Sequence, residues 1–293
     1  MGKNCEVVHI ITPKKFKLNG LWFGLNNPKR VIVFVHGLSG SAFSSLNILT
    51  KLVDENTSVL TFSNRGASKM SKVKKIDRRR KKGSTSFLMG EAHEVFTDCV
   101  DDIQGAVNLA KQKGAKEIYL IGHSTGCQKS IYYLSQVKNQ KDFKGVVLLC
   151  PLSDYADFIK SVEYSKANML QSIAKKLIKN GKPHELMPLD HWPYIHDAQR
   201  FLSLYTSDSE EEIFCYSQEN KNPRTFQSVK LPILVVFAEK DEYLDRPISE
   251  LQEWFKEKSR AIKIDFSIIE GADHGFNDKE QLVREEIFKF INR

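Results

Sequence analysis

Six short apolar runs, separated by helical patterns and glycine-rich turns, constrain this chain more than any other feature. They read VIVFV at 31–35, SVLTF at 58–62, EIYLI at 117–121, GVVLLC at 145–150, PILVVFA at 232–238 and IDFSII at 264–269. The middle ones are apolar at consecutive positions, as strands buried on both faces of a parallel sheet must be. Two further runs, at 5–11 and 16–23, are close together and flank Pro13 and two lysines. They predict an antiparallel hairpin at a sheet edge.

Helical patterns fill the gaps. Val95, Cys99, Ile103, Val107 and Ala110 recur at three- to four-residue spacing, and Gly114 offers a stop. Pro247 opens a helix carrying Ile248, Leu251 and Phe255, and a last helix is expected from Asn277 or Asp278 with Val283, Ile287 and Ile291 on its apolar face. Alternation of this kind predicts an α/β architecture, a mostly parallel eight-stranded sheet flanked by helices. About eighty residues between Cys150 and Pro232 break the rhythm, far more than an ordinary connection. In the first half of that stretch Tyr155, Ile159, Val162, Met169, Ile173 and Leu177 follow a helical period, ended by Gly181 and Pro183. The second half is rich in aromatics and histidine. The expected organisation is a core of residues 1–150 and 229–293 with an inserted helical cap at 151–228. In that cap Met187, Trp192, Tyr194 and His196 are candidate pocket residues, although such a patch more often fills a cap's own core.

Charge is confined to one place. The chain has 293 residues and a formal charge of +8. The run Lys69 to Lys82 (KMSKVKKIDRRRKK) holds nine Lys or Arg and one acid, so the remainder is neutral, with 35 basic and 35 acidic residues. The run is expected to lie in a long loop between Asn64 and Gly90 that rims the carboxyl edge of the sheet, solvated or drawing an anionic substrate, membrane surface or partner. Without interleaved aromatics it does not predict a nucleic-acid partner. At 41% hydrophobic and 27% charged, the composition excludes disordered, collagen-like and disulfide-scaffold classes. The five cysteines form an odd set with no CxxC pair and no zinc-spaced cluster, and are expected to be free thiols. No run approaches the roughly 18–20 residues that span a bilayer. The start, Met1 to Glu6, has no signal-peptide core, and Glu6 stands where a myristoylation pattern wants Ser or Thr. A soluble, cytoplasmic protein is the expectation.

The chemistry centres on Gly122-His123-Ser124-Thr125-Gly126, which follows one predicted strand and precedes a predicted helix. That context separates a nucleophile elbow from a chance GxSxG: the glycines permit a tight strained turn that lifts the Ser124 hydroxyl clear of the backbone. A serine needs a base, and His274 in GADHGF follows the last predicted strand, at the same sheet edge. The other histidines occupy less suitable places. A carboxylate should orient the imidazole; Asp241 in FAEKD follows the penultimate strand, with Glu239 and Asp245 as rivals. Glu239 sits too near its strand end to reach sideways easily, and Asp245 is placed to cap the next helix. Two backbone N–H groups should face a developing oxyanion. Thr125 supplies one, and Leu38 in the turn His36-Gly37-Leu38-Ser39-Gly40 is the candidate for the other.

The motifs VIVFVHGLSGS, SNRGAS, LIGHSTG, VVFAEKDEYL and GADHGF, in that order, resemble the α/β-hydrolase superfamily over nearly the whole chain. The piece GHSTGCQ with GSTSF upstream is similar to a branch that includes fungal siderophore esterases. The resemblance implies a serine hydrolase with Ser124, Asp241 and His274 as triad, acting on a small-molecule ester. Amide, peptide and thioester substrates, or a receptor that binds without turning over, stay open as alternatives. A Ser nucleophile argues against the dehalogenase and epoxide hydrolase branches. Asn64 stands before Arg65-Gly66 where the family often has Asp. No P-loop, GxGxxG or metal cluster is present, so no cofactor and no metal are expected.

Overall fold

The computed structural model describes residues 4–293, so Met1 to Lys3, where the amino-terminal pattern begins, lie outside the described residues. Ten strands form one sheet: β1 (Cys5–Ile11), β2 (Phe16–Phe23), β3 (Arg30–Val35), β4 (Thr57–Phe62), β5 (Ser71–Ile76), β6 (Ser84–Met89), β7 (Glu117–His123), β8 (Phe143–Leu149), β9 (Ile233–Ala238) and β10 (Ile264–Ile269). The α-helices are α1 (Leu46–Leu49), α2 (Cys99–Gln112), α3 (Thr125–Gln136), α4 (Asp154–Ser161), α5 (Tyr164–Lys179), α6 (Ala198–Tyr205), α7 (Arg224–Gln227), α8 (Ile248–Lys258) and α9 (Glu280–Ile291).

Strands β10, β9, β8, β7, β3 and β4 lie side by side in that order and all run parallel. Their carboxyl ends therefore share one edge. Every residue of β3, β4 and β9 is buried, which is why these runs read as unbroken apolar segments. Val31, Val33 and Val35 of β3 share one hydrophobic cluster with Ile103 of α2, Ile131 of α3 and Leu251 of α8. Ile32 and Phe34 face the other layer, with Ile48 of α1 and Val283 and Ile287 of α9. Period-2 alternation thus splits one strand between two helix layers. Among the described residues no helix is long and apolar enough to cross a membrane. All five cysteines are free thiols; four are buried and Cys5 is exposed.

The sheet has ten strands where eight are expected, and the difference lies in the basic run. Lys69 to Lys82 is not one loop. Its first half is β5, antiparallel to β6, with Val73 opposite Phe87 on one face and Lys72 and Lys74 opposite Leu88 and Ser86 on the other. Charge on the outward face masks the alternation. Only the stretch from Asp77 to Gly83 is a turn, and it carries Arg78, Arg79, Arg80, Lys81 and Lys82.

The register places this hairpin. Gly20 of β2 pairs with Val8 of β1 and Phe62 of β4, while Lys17 pairs with Ile11 of β1 and Lys74 of β5. Since β1 fills one side of β2, β4 and β5 share the other, and β5 continues the lane of β4 past its carboxyl end. From Gly20 to Phe16, which is level with Lys75, is about 13 Å at the usual rise per residue. The hairpin therefore projects beyond the carboxyl edge, its cationic turn outermost.

The long connection between β8 and β9 carries α4 to α7. The helical period expected to run from Tyr155 to Leu177 is broken at Val162, which is extended (φ −112°, ψ 128°). Glu163 caps α5 by accepting the Ser165 N–H. The break resets the helical phase, so Ile159 and Met169 are 45% and 40% exposed whereas Phe158 and Leu170 are buried. Phe158, Leu170, Met187, Trp192 and Phe201 form a small core of their own. Two further sequence expectations need correction. Asp245 does not cap α8, whose N-cap is Pro247; it pairs with Arg246 Nε at 2.9 Å. The last helix begins at Glu280, not at Asn277 or Asp278.

Buried ions tie this connection to the sheet domain. Lys129 of α3 meets Glu94 at 2.6 Å, Glu94 meets Arg200 of α6 at 2.9 Å, and Arg200 also donates to Glu211 at 2.5 Å. All four side chains are at most 5% exposed. Burial pushes the Glu94 carboxyl up, but Lys129 and Arg200 outweigh it and hold the pKa at about 2. Glu94→Gln leaves Lys129 buried without a counter-ion and should lower the unfolding free energy at pH 7 by about 3–5 kcal/mol in urea titrations. A depressed carboxylate stabilises above its unfolded pKa of 4.5 and ceases to as pH falls through about 2. The wild type should accordingly lose more stability than the variant across that window.

Candidate active site

Ser124 joins β7 to α3 with φ 55° and ψ −130°, a strained conformation for a residue with a side chain. Packing imposes it. A Cβ on Gly126 would lie 2.0 Å from the Val35 carbonyl oxygen, and one on Gly122 would lie 2.4 Å from the Gly126 carbonyl oxygen. Helix α3 therefore starts directly against β3 and β7, and only glycine fits at either flank. The Ser124 N–H donates to the Leu149 carbonyl at 2.9 Å, fixing the turn to the end of β8.

The turn after β3 approaches from one side. A Cβ on Gly37 would stand 2.8 Å from Ser124 Cβ and 3.3 Å from its Oγ. His36 holds the turn: its Nδ1–H donates to the Gly37 carbonyl at 2.8 Å, and its Nε2 accepts the Asn64 N–H at 3.3 Å. Burial, with the Lys129 charge, lowers its pKa to about 4, so the neutral tautomer required by these two bonds persists at ordinary pH. The Asn64 side chain is buried with no hydrogen bond among the described residues, whereas Arg65 beside it is held by Asp98, Asp101 and Asp102. The Leu38 N–H makes no hydrogen bond among the described residues. That of Thr125, at the first position of α3, has no acceptor within the helix.

His274 comes from the loop after β10, on the other side. Its Nδ1 donates to Asp241 Oδ2 at 2.8 Å, its N–H donates to Glu242 Oε2 at 3.1 Å, and its carbonyl accepts His123 Nε2–H at 2.8 Å. Because His123 precedes Ser124, that last bond anchors the His274 loop to the strand end bearing the serine. The two imidazole rings lie 4.9 Å apart. Burial, then the charge of His274, lowers the His123 pKa to about 4 and keeps it a neutral donor. Tyr243 packs edge-on to the His274 ring at 4.7 Å. Burial raises the Asp241 carboxyl, but the bond and charge of His274, the Tyr243 N–H and the Cys150 thiol together hold it below its usual value. Among the described residues no hydrogen bond joins the Ser124 hydroxyl to the His274 ring, a contact often long before substrate binds.

The structure thus gathers Ser124, Thr125, Leu38, Asp241 and His274 at one sheet edge. The rivals of Asp241 are engaged elsewhere: Glu239 accepts the Gly271 N–H at 2.7 Å, and Asp245 pairs with Arg246. Of the candidate pocket residues, Met187, Trp192 and His196 are buried in or beside the small helical core, and Tyr194 is exposed. Sequence reasoning passed over His123, Cys150, Glu242 and Tyr243. Only His123, inside the GxSxG motif, and Glu242 and Tyr243, next to Asp241, carried a positional signal.

Comparison with solved structures places this geometry in a known fold. An esterase from Pyrococcus furiosus superposes with a TM-score of 0.61 at 19% identity, over 99% of this chain and 91% of that one. A siderophore hydrolase from Aspergillus fumigatus gives 0.65 at 16%, over 98% and 97%. A Butyrivibrio proteoclasticus protein with ferulic acid bound gives 0.60 at 18%, over 97% of each chain. The chain has the α/β-hydrolase fold. No curated protein matches the sequence. Residues 85–292 match the family described as "Protein of unknown function (DUF1749)", and the chain belongs to that family.

Proposed function

We propose that this protein is a serine hydrolase that cleaves carboxylic esters through an acyl-enzyme. The observation carrying this reading is the strained Ser124 at the β7–α3 turn, with the His274–Asp241 pair at 2.8 Å anchored beside it through His123. In this mechanism His274 Nε2 takes the Ser124 proton as the hydroxyl oxygen attacks the ester carbonyl. The tetrahedral oxyanion accepts hydrogen bonds from the Leu38 and Thr125 N–H groups. His274 then protonates the leaving alkoxide, and water, deprotonated by His274, releases the acid and regenerates the serine. Asp241 fixes the imidazole with Nδ1–H toward the carboxylate and stabilises the imidazolium. The neighbours described as an esterase and a siderophore hydrolase support ester chemistry on this fold.

Residues 151–228 act as a cap over the site in this reading. Lys160 of α4 donates to the Leu244 carbonyl at 3.2 Å, within the loop that carries Asp241. The cationic hairpin turn, projecting past the same sheet edge, raises the local concentration of anionic esters.

Ser124→Ala should lower kcat on a chromogenic ester by about 10⁴–10⁶-fold, and Asp241→Asn by about 10⁴-fold. Glu239→Gln and Asp245→Asn should change it by less than about tenfold; a large loss in either would move the third role away from Asp241. Replacing Arg78 to Lys82 with glutamine should raise KM for anionic esters about tenfold at low salt and leave neutral esters unchanged. Equal shifts for both would remove the steering role.

A further inference from the structure

Three side chains from separate segments meet where the helical insertion joins the sheet domain, outside the site described above. His93 follows β6, His184 follows α5, and Asp197 is the N-cap of α6. His93 Nδ1 lies 2.9 Å and His184 Nδ1 2.8 Å from the same Asp197 oxygen, Oδ2. All three atoms are within 4.8 Å of one another. The other carboxylate oxygen, Oδ1, accepts the Arg200 N–H at 2.7 Å, which fixes the carboxylate and leaves Oδ2 directed between the rings.

The charge arrangement is unusual. Asp197 is fully buried, and among the described residues no Lys or Arg side chain pairs with it. Buried carboxylates are ordinarily matched by a cation or coordinate a metal. Here the neighbouring Arg200 guanidinium is instead taken by Glu94 and Glu211, and the only side chains that meet the Asp197 carboxylate among the described residues are the two imidazoles. Two imidazole nitrogens and one carboxylate oxygen form a zinc donor set that leaves a fourth position for water. The oxygen–nitrogen separations of 2.8 and 2.9 Å are those of hydrogen bonds; ligands at the usual zinc distances stand about 3.3 Å apart, so the rings need to move by only about half an ångström to admit the ion. The His93 side chain is 11% exposed and that of His184 62%, so one side of the site is shielded and the other opens to solvent.

We propose that His93 Nδ1, His184 Nδ1 and Asp197 Oδ2 bind one zinc ion, with water as the fourth ligand. Each imidazole binds in its neutral form, with the proton on Nε2. Zinc supplies the positive charge that Asp197 lacks and staples the insertion, through His184 and Asp197, to the sheet domain, through His93. This departs from the expectation of no metal. It does not depend on the hydrolase reading.

The full-length protein, stripped with a chelator and titrated calorimetrically, should bind Zn²⁺ at one equivalent and bind no Mg²⁺. Zinc should raise its melting temperature. Cobalt substitution should give the visible absorption bands of a tetrahedral ion. His184→Gln, at a largely exposed position that keeps the fold, should weaken zinc binding at least about 100-fold, and His93→Gln likewise. The thermal shift should vanish with either. Absence of zinc binding by the folded wild type would overturn the proposal. So would equal binding by wild type and the doubly substituted protein, which would place the ion elsewhere in the chain.

Discussion

The close approach of Gly126 to the Val35 carbonyl sets the position of everything at the carboxyl edge. Because no side chain fits there, α3 begins against β3 and the chain turns at Ser124 through a strained backbone angle. The strain, of order 1–3 kcal/mol, is carried by the ladders to β3 and β8 on the two sides of β7, the second of which shifts register between Ile118 and Tyr119. Three other strand ends are then brought to the serine: the Gly37 turn from β3, Asp241 from β9 and His274 from β10. The His123 donor to the His274 carbonyl links the last of these to the end of β7 that carries the serine. A parallel sheet supplies this convergence because all of its carboxyl ends share one edge.

Buried charge supplies the second level of organisation. Lys129, Glu94, Arg200 and Glu211 alternate in sign along a path from the helix behind Ser124 to the inserted helices. Such a path contributes little net stability when complete and costs several kcal/mol when one member is lost. The complete path joins α3 to α6 at one place in the fold. The His93–His184–Asp197 cluster lies on the same seam, with the guanidinium of Arg200 turned away from Asp197 and toward the ion path.

Much of this was legible in the sequence, and the remainder was hidden for identifiable reasons. The buried parallel strands were readable because both faces are apolar, and the β7–α3 turn because two glycines flank a serine between a strand and a helix. The placement of Asp241 and His274 at one edge follows from each standing just past a strand end. The β5–β6 hairpin was missed because lysine fills its outward face, so period-2 alternation reads as a charge run. The break at Val162 was missed because an apolar residue at the expected spacing hides an extended backbone. Nothing local marks Glu94 as the centre of a buried ion path, since it lies 35 residues from Lys129 and 106 from Arg200 in the chain. The meeting of His93 with His184 and Asp197 is hidden for the same reason, His93 lying 91 and 104 residues from the other two.

The central claim is that Ser124 is an activated nucleophile. Its most direct measurement is the site of covalent attachment by a fluorophosphonate, located by peptide mass spectrometry on the intact, folded protein. A single adduct is expected on the peptide containing Ser124, absent after heat denaturation and absent in Ser124→Ala. An adduct on another residue, or full labelling of Ser124→Ala, would contradict it.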